Sequence, residues 1–307
     1  MAFIDKLRQR IPTLSFELFP PKNAAGWGTL YSTLGEICRV SPDYISVTYG
    51  AGGSTRVKTV ELVERIQGEL GIESMAHLTC VGHSKGEIGE ILGNLAGSGI
   101  RNVLALRGDP PKGDKTFKPH PEGFAHASDL LRFIRGGYDL NIGCAFYPEK
   151  HMEAATLEED LGYLKLKQDM GAQFTISQLF FDNDGFYRFR DMAAKAGVSI
   201  PLVAGIMPVL DIAQIARFKE LSGCVIPAKL VDFLNGGAPE DVVKRGVEYA
   251  TEQCLDLLRN GIAGIHLYSL NRSHSSVRIT ENLRQAGHFP VAQGEGGASR
   301  KSLSAKA

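Results

Sequence analysis

What most constrains this chain is an alternation that repeats along nearly its whole length: short apolar, β-rich runs, each followed by a longer stretch with helical spacing. The runs are Leu14–Phe19, Tyr44–Thr48, Ser74–Cys80, Asn102–Leu106, Ile142–Phe146, Phe174–Leu179, Leu202–Ile206 and Gly264–Leu270. Several are apolar almost throughout, the pattern of parallel strands covered on both faces. Between them, Val63, Ile66 and Leu70 share one helical face, and Val243, Val247, Ala250, Cys254 and Leu257 share another. The second segment opens with Pro239-Glu240-Asp241, a helix start with acidic residues in its first turn.

Repeats of strand then helix in this number predict an α/β fold, a (β/α)8 TIM barrel in a single domain, with a doubly wound open sheet as the runner-up. A ninth apolar run, Cys224-Val225-Ile226-Pro227, complicates the count. Its proline cannot donate to an interior ladder, so the run reads as a connection. A length of 307 residues suits one barrel. Residues 1–292 are expected to form one catalytic barrel, and residues 293–307, rich in Gly, Ser, Lys and Ala, a disordered tail.

Composition removes several classes. Lys plus Arg number 34 and Asp plus Glu number 34, for a formal net charge of +0, and no long basic tract appears. The electrostatic case for nucleic acid is therefore absent. No apolar run approaches the roughly 18–20 residues of a membrane span. Asp5, Lys6 and Arg8 stand where a signal peptide needs its apolar stretch. The five cysteines are scattered and lack any C-x-x-C pair, which argues against a disulfide framework or a zinc site and for a reducing, cytoplasmic setting. There is no G-x-G-x-x-G opening a helix, no G-x-x-x-x-G-K-[ST], no G-x-S-x-G and no H-E-x-x-H. Any dinucleotide bound here must use loops at the rim.

In such a barrel, chemistry sits at the C-terminal ends of the strands. The predicted ends are rich in polar groups: Glu17, then Thr48-Tyr49-Gly50-Ala51, His77 with Thr79, Arg107-Gly108-Asp109, Tyr147 with Glu149 and His151, Gln178, and Asn271-Arg272. Glu17 lies between Phe16 and Leu18 and by alternation could face solvent. In a barrel strand, however, one face meets the interior and the other meets helices. A buried carboxylate without a partner tends to hold a proton. Raising a Glu from about 4.3 to between 6 and 7 costs roughly 3 kcal/mol, and it yields a proton donor at neutral pH. Asp109 taken alone could be a turn or cap residue. An adhesion-motif reading of Arg107-Gly108-Asp109 fits poorly with a cytosolic composition. His77 alone reads as a satisfied core histidine. Gln178, inside a strongly apolar run, needs a hydrogen-bond partner, and a ligand is a natural one. These residues define a barrel enzyme with acidic and amide groups at its mouth, and they leave the substrate open.

A set of blocks supplies more. Ser15-Phe-Glu-Leu-Phe-Pro-Pro21, Val47-Thr-Tyr-Gly-Ala51, His77-Leu-Thr-Cys80, Leu106-Arg-Gly-Asp109, Tyr147-Pro-Glu149 with His151, Gln178-Leu-Phe-Phe-Asp182, Gly205-Ile-Met-Pro208 and Leu270-Asn-Arg272 occur in order across the chain. Together they resemble the signature blocks of methylenetetrahydrofolate reductases, in the bacterial form with a catalytic barrel only. The resemblance implies non-covalent FAD, NADH or NADPH as hydride donor, and a folate substrate reduced by ping-pong transfer. It makes Glu17 the general acid that protonates folate N10, and Asp109 the carboxylate that contacts the pterin and tunes the flavin.

By the same resemblance Gln178, Gln214, Phe218 and Arg272, with Asp109, bind substrate. Thr48, Tyr49, Ala51, His77, Arg107, Gly108, Asp109, His126, Ala127, Tyr147, His151, Ala154, Asp160 and Lys167 bind the cofactors, Thr48 near the nicotinamide. Asp160 and Lys167 lie two turns apart on one side of a predicted helix. Tyr163, Leu166 and His126 depart from the family pattern, which affects the adenosine side. A homo-oligomer is left open. The rival readings are a non-redox folate- or pterin-binding barrel such as a methyltransferase domain, and a non-catalytic barrel subunit.

Overall fold

The strands pair in chain order and the last closes on the first, giving a barrel in which every pairing is parallel. The computed structural model describes residues 1–21, 23, 25–49, 56–109 and 118–290. The predicted tail and Ala51 therefore lie outside the described residues. The chain begins with helix α1 (Phe3–Arg8) and strand β1 (Thr13–Leu18), followed by α2 (Ala25–Arg39), β2 (Tyr44–Val47), α3 (Arg56–Leu70) and β3 (Glu73–Thr79). Next come α4 (Lys85–Gly97), β4 (Asn102–Leu106), α5 (Ala127–Gly137), β5 (Asn141–Phe146), α6 (Leu157–Asp169) and β6 (Phe174–Ser177). The last part holds α7 (Asn183–Lys195), β7 (Leu202–Ile206), α8 (Ala213–Ser222), α9 (Ala228–Asn235), α10 (Val242–Arg259), β8 (Gly264–Tyr268) and α11 (Ser273–Gln285). The closed barrel is the predicted fold, and the open sheet is excluded.

Strand alternation divides the core into two parts. Leu14, Phe16 and Leu18 of β1 join Ile45, Val47, Leu78 and Ile265 in the large layer between barrel and helices. The intervening residues point inward. There Tyr44, Met75, Leu104, Phe174, Ile176 and Val203 form a second apolar cluster with Phe3, Ile4 and Leu7 of α1. Helix α1 thus plugs the N-terminal end: the Phe3 ring lies 4.3 Å from that of Tyr44 and 5.4 Å from that of Phe174. Glycines make room for these large rings. A Cβ at Gly143 would lie 2.4 Å from Phe174, and one at Gly205 2.6 Å from Tyr268.

Several expected boundaries shift by one or two residues. Thr48, Gln178 and Leu270 fall just past their strands, because the chain leaves the ladder to form the rim. The run 224–227 is a connection, as expected, and Pro227 is the N-cap of α9. That extra helix between β7 and β8 was not anticipated. Pro239–Asp241 forms a 3-10 turn ahead of α10. Val243 is 39% exposed and leaves the expected buried face, which instead carries Val242, Gly246, Val247, Ala250, Cys254 and Leu257. Gly246 sets that orientation, since a Cβ there would fall 1.7 Å from the Val209 carbonyl oxygen. Among the described residues, no helix is long and apolar enough to cross a membrane.

Candidate active site

A cavity of about 350 Å³ opens at the C-terminal end of the barrel. It is lined by Glu17, Thr48, Tyr49, His77, Arg107, Gly108, Asp109, Tyr147, His151 and Gln178, all named from sequence, together with His266, Tyr268, Ser177 and Met152. A second cavity of about 330 Å³ shares Leu106, Arg107, Ala145, Tyr147 and His151 with it. This one runs outward between α5 and α6, past His126, Ala127, Ala154, Asp160, Tyr163, Leu166 and Lys167. The two make one groove from the barrel axis to its flank.

Glu17 stands at the inner end. Its side chain is 21% exposed, largely buried and open toward the cavity. The Nε2 atoms of His77 and His266 each lie 3.7 Å from Glu17 Oε2. Burial pushes His77 down to about 4, so near neutral pH it is an uncharged neighbour and not an ion-pair partner. Its Nε2 and the Thr79 hydroxyl are buried without a hydrogen-bond partner. Below the carboxyl, His266 Nδ1 and Ser15 Oγ are 2.7 Å apart, and Ser46 Oγ is 3.5 Å from His266 Nε2. Sequence reasoning missed His266 and Tyr268. The available signal was a histidine and a tyrosine alternating with Ile265 and Leu267 on one strand. The Tyr268 hydroxyl donates to the Ser177 carbonyl at 2.6 Å, and burial raises its pKa well above the usual phenol range.

Strand β4 delivers Arg107, Gly108 and Asp109 to the rim. Gly108 has φ of +87°, a conformation that side chains rarely adopt. A Cβ there would lie 2.7 Å from Val81 Cγ1 and 2.9 Å from Thr79 Cβ. The turn lets Asp109 reach the cavity edge, where it is exposed. The Arg107 guanidinium makes a bidentate pair with Glu153, with Nη2 to Oε1 at 2.8 Å. The Gln178 side-chain oxygen accepts from the Leu179 N–H at 2.8 Å, while the Gln178 backbone N–H donates to the Phe146 carbonyl at 2.7 Å.

In the flanking cavity, buried Asp160 accepts from the His151 N–H at 2.9 Å, and Lys167 Nζ donates to the Ala145 carbonyl at 2.6 Å. Both come from α6 and face the same cavity, as their spacing predicted. His126 is the N-cap of α5, with Ala127 as the first helical residue. The Tyr163 hydroxyl donates to Glu159 at 2.9 Å, and Tyr163 and Leu166 give this side an apolar wall. Burial lowers the pKa of His151 and raises that of Tyr147.

Three expected substrate contacts lie elsewhere. Phe218 is buried in an apolar cluster with Leu179, Met207 and Leu230, its ring 6.3 Å from that of Phe181. Neither Gln214, whose Oε1 is buried without a partner, nor Arg272, the N-cap of α11, lines either cavity. Among the described residues, no group of three or more His, Cys, Asp or Glu is placed to hold a metal ion.

The fold and groove define a (β/α)8-barrel protein with its polar site at the C-terminal mouth. Residues 3–284 match the family model described as methylenetetrahydrofolate reductase, and this chain belongs to that family. It is 34% identical over 272 residues to the 5,10-methylenetetrahydrofolate reductase of Escherichia coli, covering 88% of this chain and 90% of that protein. It is 38% identical over 300 residues to methylenetetrahydrofolate reductase (NADH) 1 of Arabidopsis thaliana, covering 92% of this chain. The chain spans about half the length of that relative, 51%. Among solved structures, an uncharacterized protein from Clostridium thermocellum, described as binding two copies of 5-methyl-5,6,7,8-tetrahydrofolic acid, superposes with a TM-score of 0.63. It is 15% identical and covers 92% of this chain and 99% of its own, a likeness of fold.

Proposed function

We propose that this chain reduces 5,10-methylenetetrahydrofolate to 5-methyltetrahydrofolate with NADH or NADPH, through bound FAD, and that Glu17 is the general acid. The observation that carries the reading is Glu17 at the inner end of a groove whose lining holds every described residue named for FAD. The groove suits that cofactor chemically. His77 Nε2 on the groove wall is buried without a hydrogen-bond partner, the Gly108 turn brings backbone to the wall, and Lys167 offers a cation on the flank. Bound FAD would accept a hydride from the nicotinamide and pass it to the folate one-carbon unit.

The residues divide the remaining work. Glu17 faces a space that a flat ligand would close to water. Its proton goes to folate N10, whose bond to the methylene carbon breaks, leaving a cationic acceptor at N5. With His77 pushed down to about 4 and the Tyr268 proton tied to the Ser177 carbonyl, these two groups do not compete as donors near neutral pH. Asp109 sits where its negative charge stabilises that cation. The Gln178 amide is in place to hydrogen-bond pterin or nicotinamide in turn. Gln214, Phe218 and Arg272, which line neither cavity, are left to the parts of the substrate that extend beyond them. The C. thermocellum protein, with its two bound 5-methyltetrahydrofolate molecules, supports a folate site on this fold.

Anaerobic spectroscopy tests the proposal. The purified protein is expected to be yellow, to bleach with NADH or NADPH, and to regain its oxidised spectrum on adding methylenetetrahydrofolate. A colourless protein that binds folate would favour the non-redox folate barrel instead. A flavin that bleaches but ignores the folate would refute the substrate.

A further inference from the structure

The ladder between β1 and β8 ends at Glu17 and Tyr268, yet the seam continues. Beyond that pair, Ser269 Oγ donates to the Glu17 carbonyl at 2.6 Å. The Asn271 side chain then takes both backbone groups of Phe19: Oδ1 accepts from its N–H at 3.0 Å, and Nδ2 donates to its carbonyl at 2.7 Å. One amide side chain replaces the strand residue that β8 no longer supplies. Pro20 and Pro21 follow, and neither has an N–H, so Phe19 carries the last donor on this strand end. The Thr33 hydroxyl of α2 holds the other side of the turn through the Asn271 carbonyl at 3.0 Å.

The backbone geometry here is unusual. Leu270 and Asn271 have φ of +50° and +55°, consecutive left-handed residues. Asparagine tolerates this region; leucine does not favour it. Such a conformation persists only where surrounding bonds over-determine it. The four side-chain bonds to the end of β1 and to α2 do so, and three of them end on Glu17 or Phe19. Among the described residues the carboxyl has no hydrogen bond short enough to fix it, since the nearest ring nitrogens stand 3.7 Å away. Its direction must come from its backbone.

We propose that Asn271 is a positioning residue, whose amide clasps Phe19 and so fixes the end of β1 and the aim of the Glu17 carboxyl. The inference rests on the acid role proposed for Glu17, and its test separates the two. Two variants that both tolerate positive φ are used: Asn271→Gly removes the clasp, and Asn271→Asp keeps the acceptor but opposes the Phe19 carbonyl with a charge. Amide hydrogen exchange on the purified protein reads the clasp without any turnover. Asn271→Gly is expected to lose about ten-fold or more of the protection at Phe19, with the other strands within about two-fold.

In anaerobic half-reactions, the folate step should slow by about ten-fold or more, while the nicotinamide step and flavin content stay within about two-fold. Asn271→Asp, ionised across the assay range, keeps the acceptor for the Phe19 N–H but repels the Phe19 carbonyl, so its folate step should also slow by several-fold or more. An Asn271→Asp folate rate within about two-fold of wild type, equal slowing of both half-reactions, or unchanged Phe19 exchange would overturn the clasp. Should wild-type protein lack the folate half-reaction, the function reading fails, and the exchange result still decides whether the clasp exists.

Discussion

Replacing Gly108 with alanine tests how tightly the β4 turn is built into the site. Two costs can be worked from the structure. The residue sits at φ of +87°, where an L side chain is strained by about 1–2 kcal/mol. The new Cβ would stand 2.7 Å from Val81 Cγ1 and 2.9 Å from Thr79 Cβ, both attached close to their backbones and unable to swing away. Overpacking of this kind costs about 1–3 kcal/mol. The sum is about 2–5 kcal/mol, or roughly 4–10 °C of melting temperature at about 2 °C per kcal/mol in a domain this large. Calorimetry of the flavin-free protein measures it. Gly93→Ala is the control: it lies in α4 with nothing within 4 Å of the added Cβ, so gaining helix propensity should stabilise it by up to about 1 kcal/mol. Because Gly108 lies between Arg107 and Asp109, flavin occupancy should fall along with stability. A Gly108→Ala protein that melts within about 1 °C of wild type would refute the reasoning, as would an equal loss in the control.

Two further outcomes follow from buried groups. Phe3→Ala removes the ring that α1 wedges against Tyr44 and Phe174, and should destabilise the barrel by about 3–5 kcal/mol in denaturant unfolding without altering flavin spectra. His77, held down to about 4 by burial, stays uncharged in the folded chain while the unfolded chain gains its proton near 6.5. The unfolded state therefore binds more protons between those values, and stability is lost as pH falls from about 6.5 to 4, by up to roughly 3 kcal/mol, a slope that His77→Gln should flatten.

Much of the fold was legible because each barrel strand is a short apolar run, and burial on both faces leaves that signature. The strand ends were less so. Thr48 and Gln178 look like strand residues by composition, but the chain has already left the ladder there to build the rim. Helix α9 was hidden because Pro227, which argues against a strand, is equally at home before a helix. Val243 was misplaced since helical spacing gives a face only to within a residue, and contact of Gly246 with the Val209 backbone settles the rotation. At the site, the rim residues were named through ordered blocks, whereas His266 went unnoticed inside an apolar strand. Its inward position depends on barrel closure, which pairs Ser15 with His266 across the seam. Phe218, assigned to ligand through the resemblance, packs in an apolar cluster outside both cavities.

The claim that Glu17 delivers the proton is tested most directly by Glu17→Gln, which keeps the shape of the side chain and removes its acidity. In anaerobic stopped flow, bleaching of the bound flavin by nicotinamide should stay within a few-fold of wild type. Reoxidation by methylenetetrahydrofolate should slow by about 10²–10⁴-fold, the usual worth of a general acid. Equal losses in both steps, or reoxidation that survives nearly intact, would contradict the account.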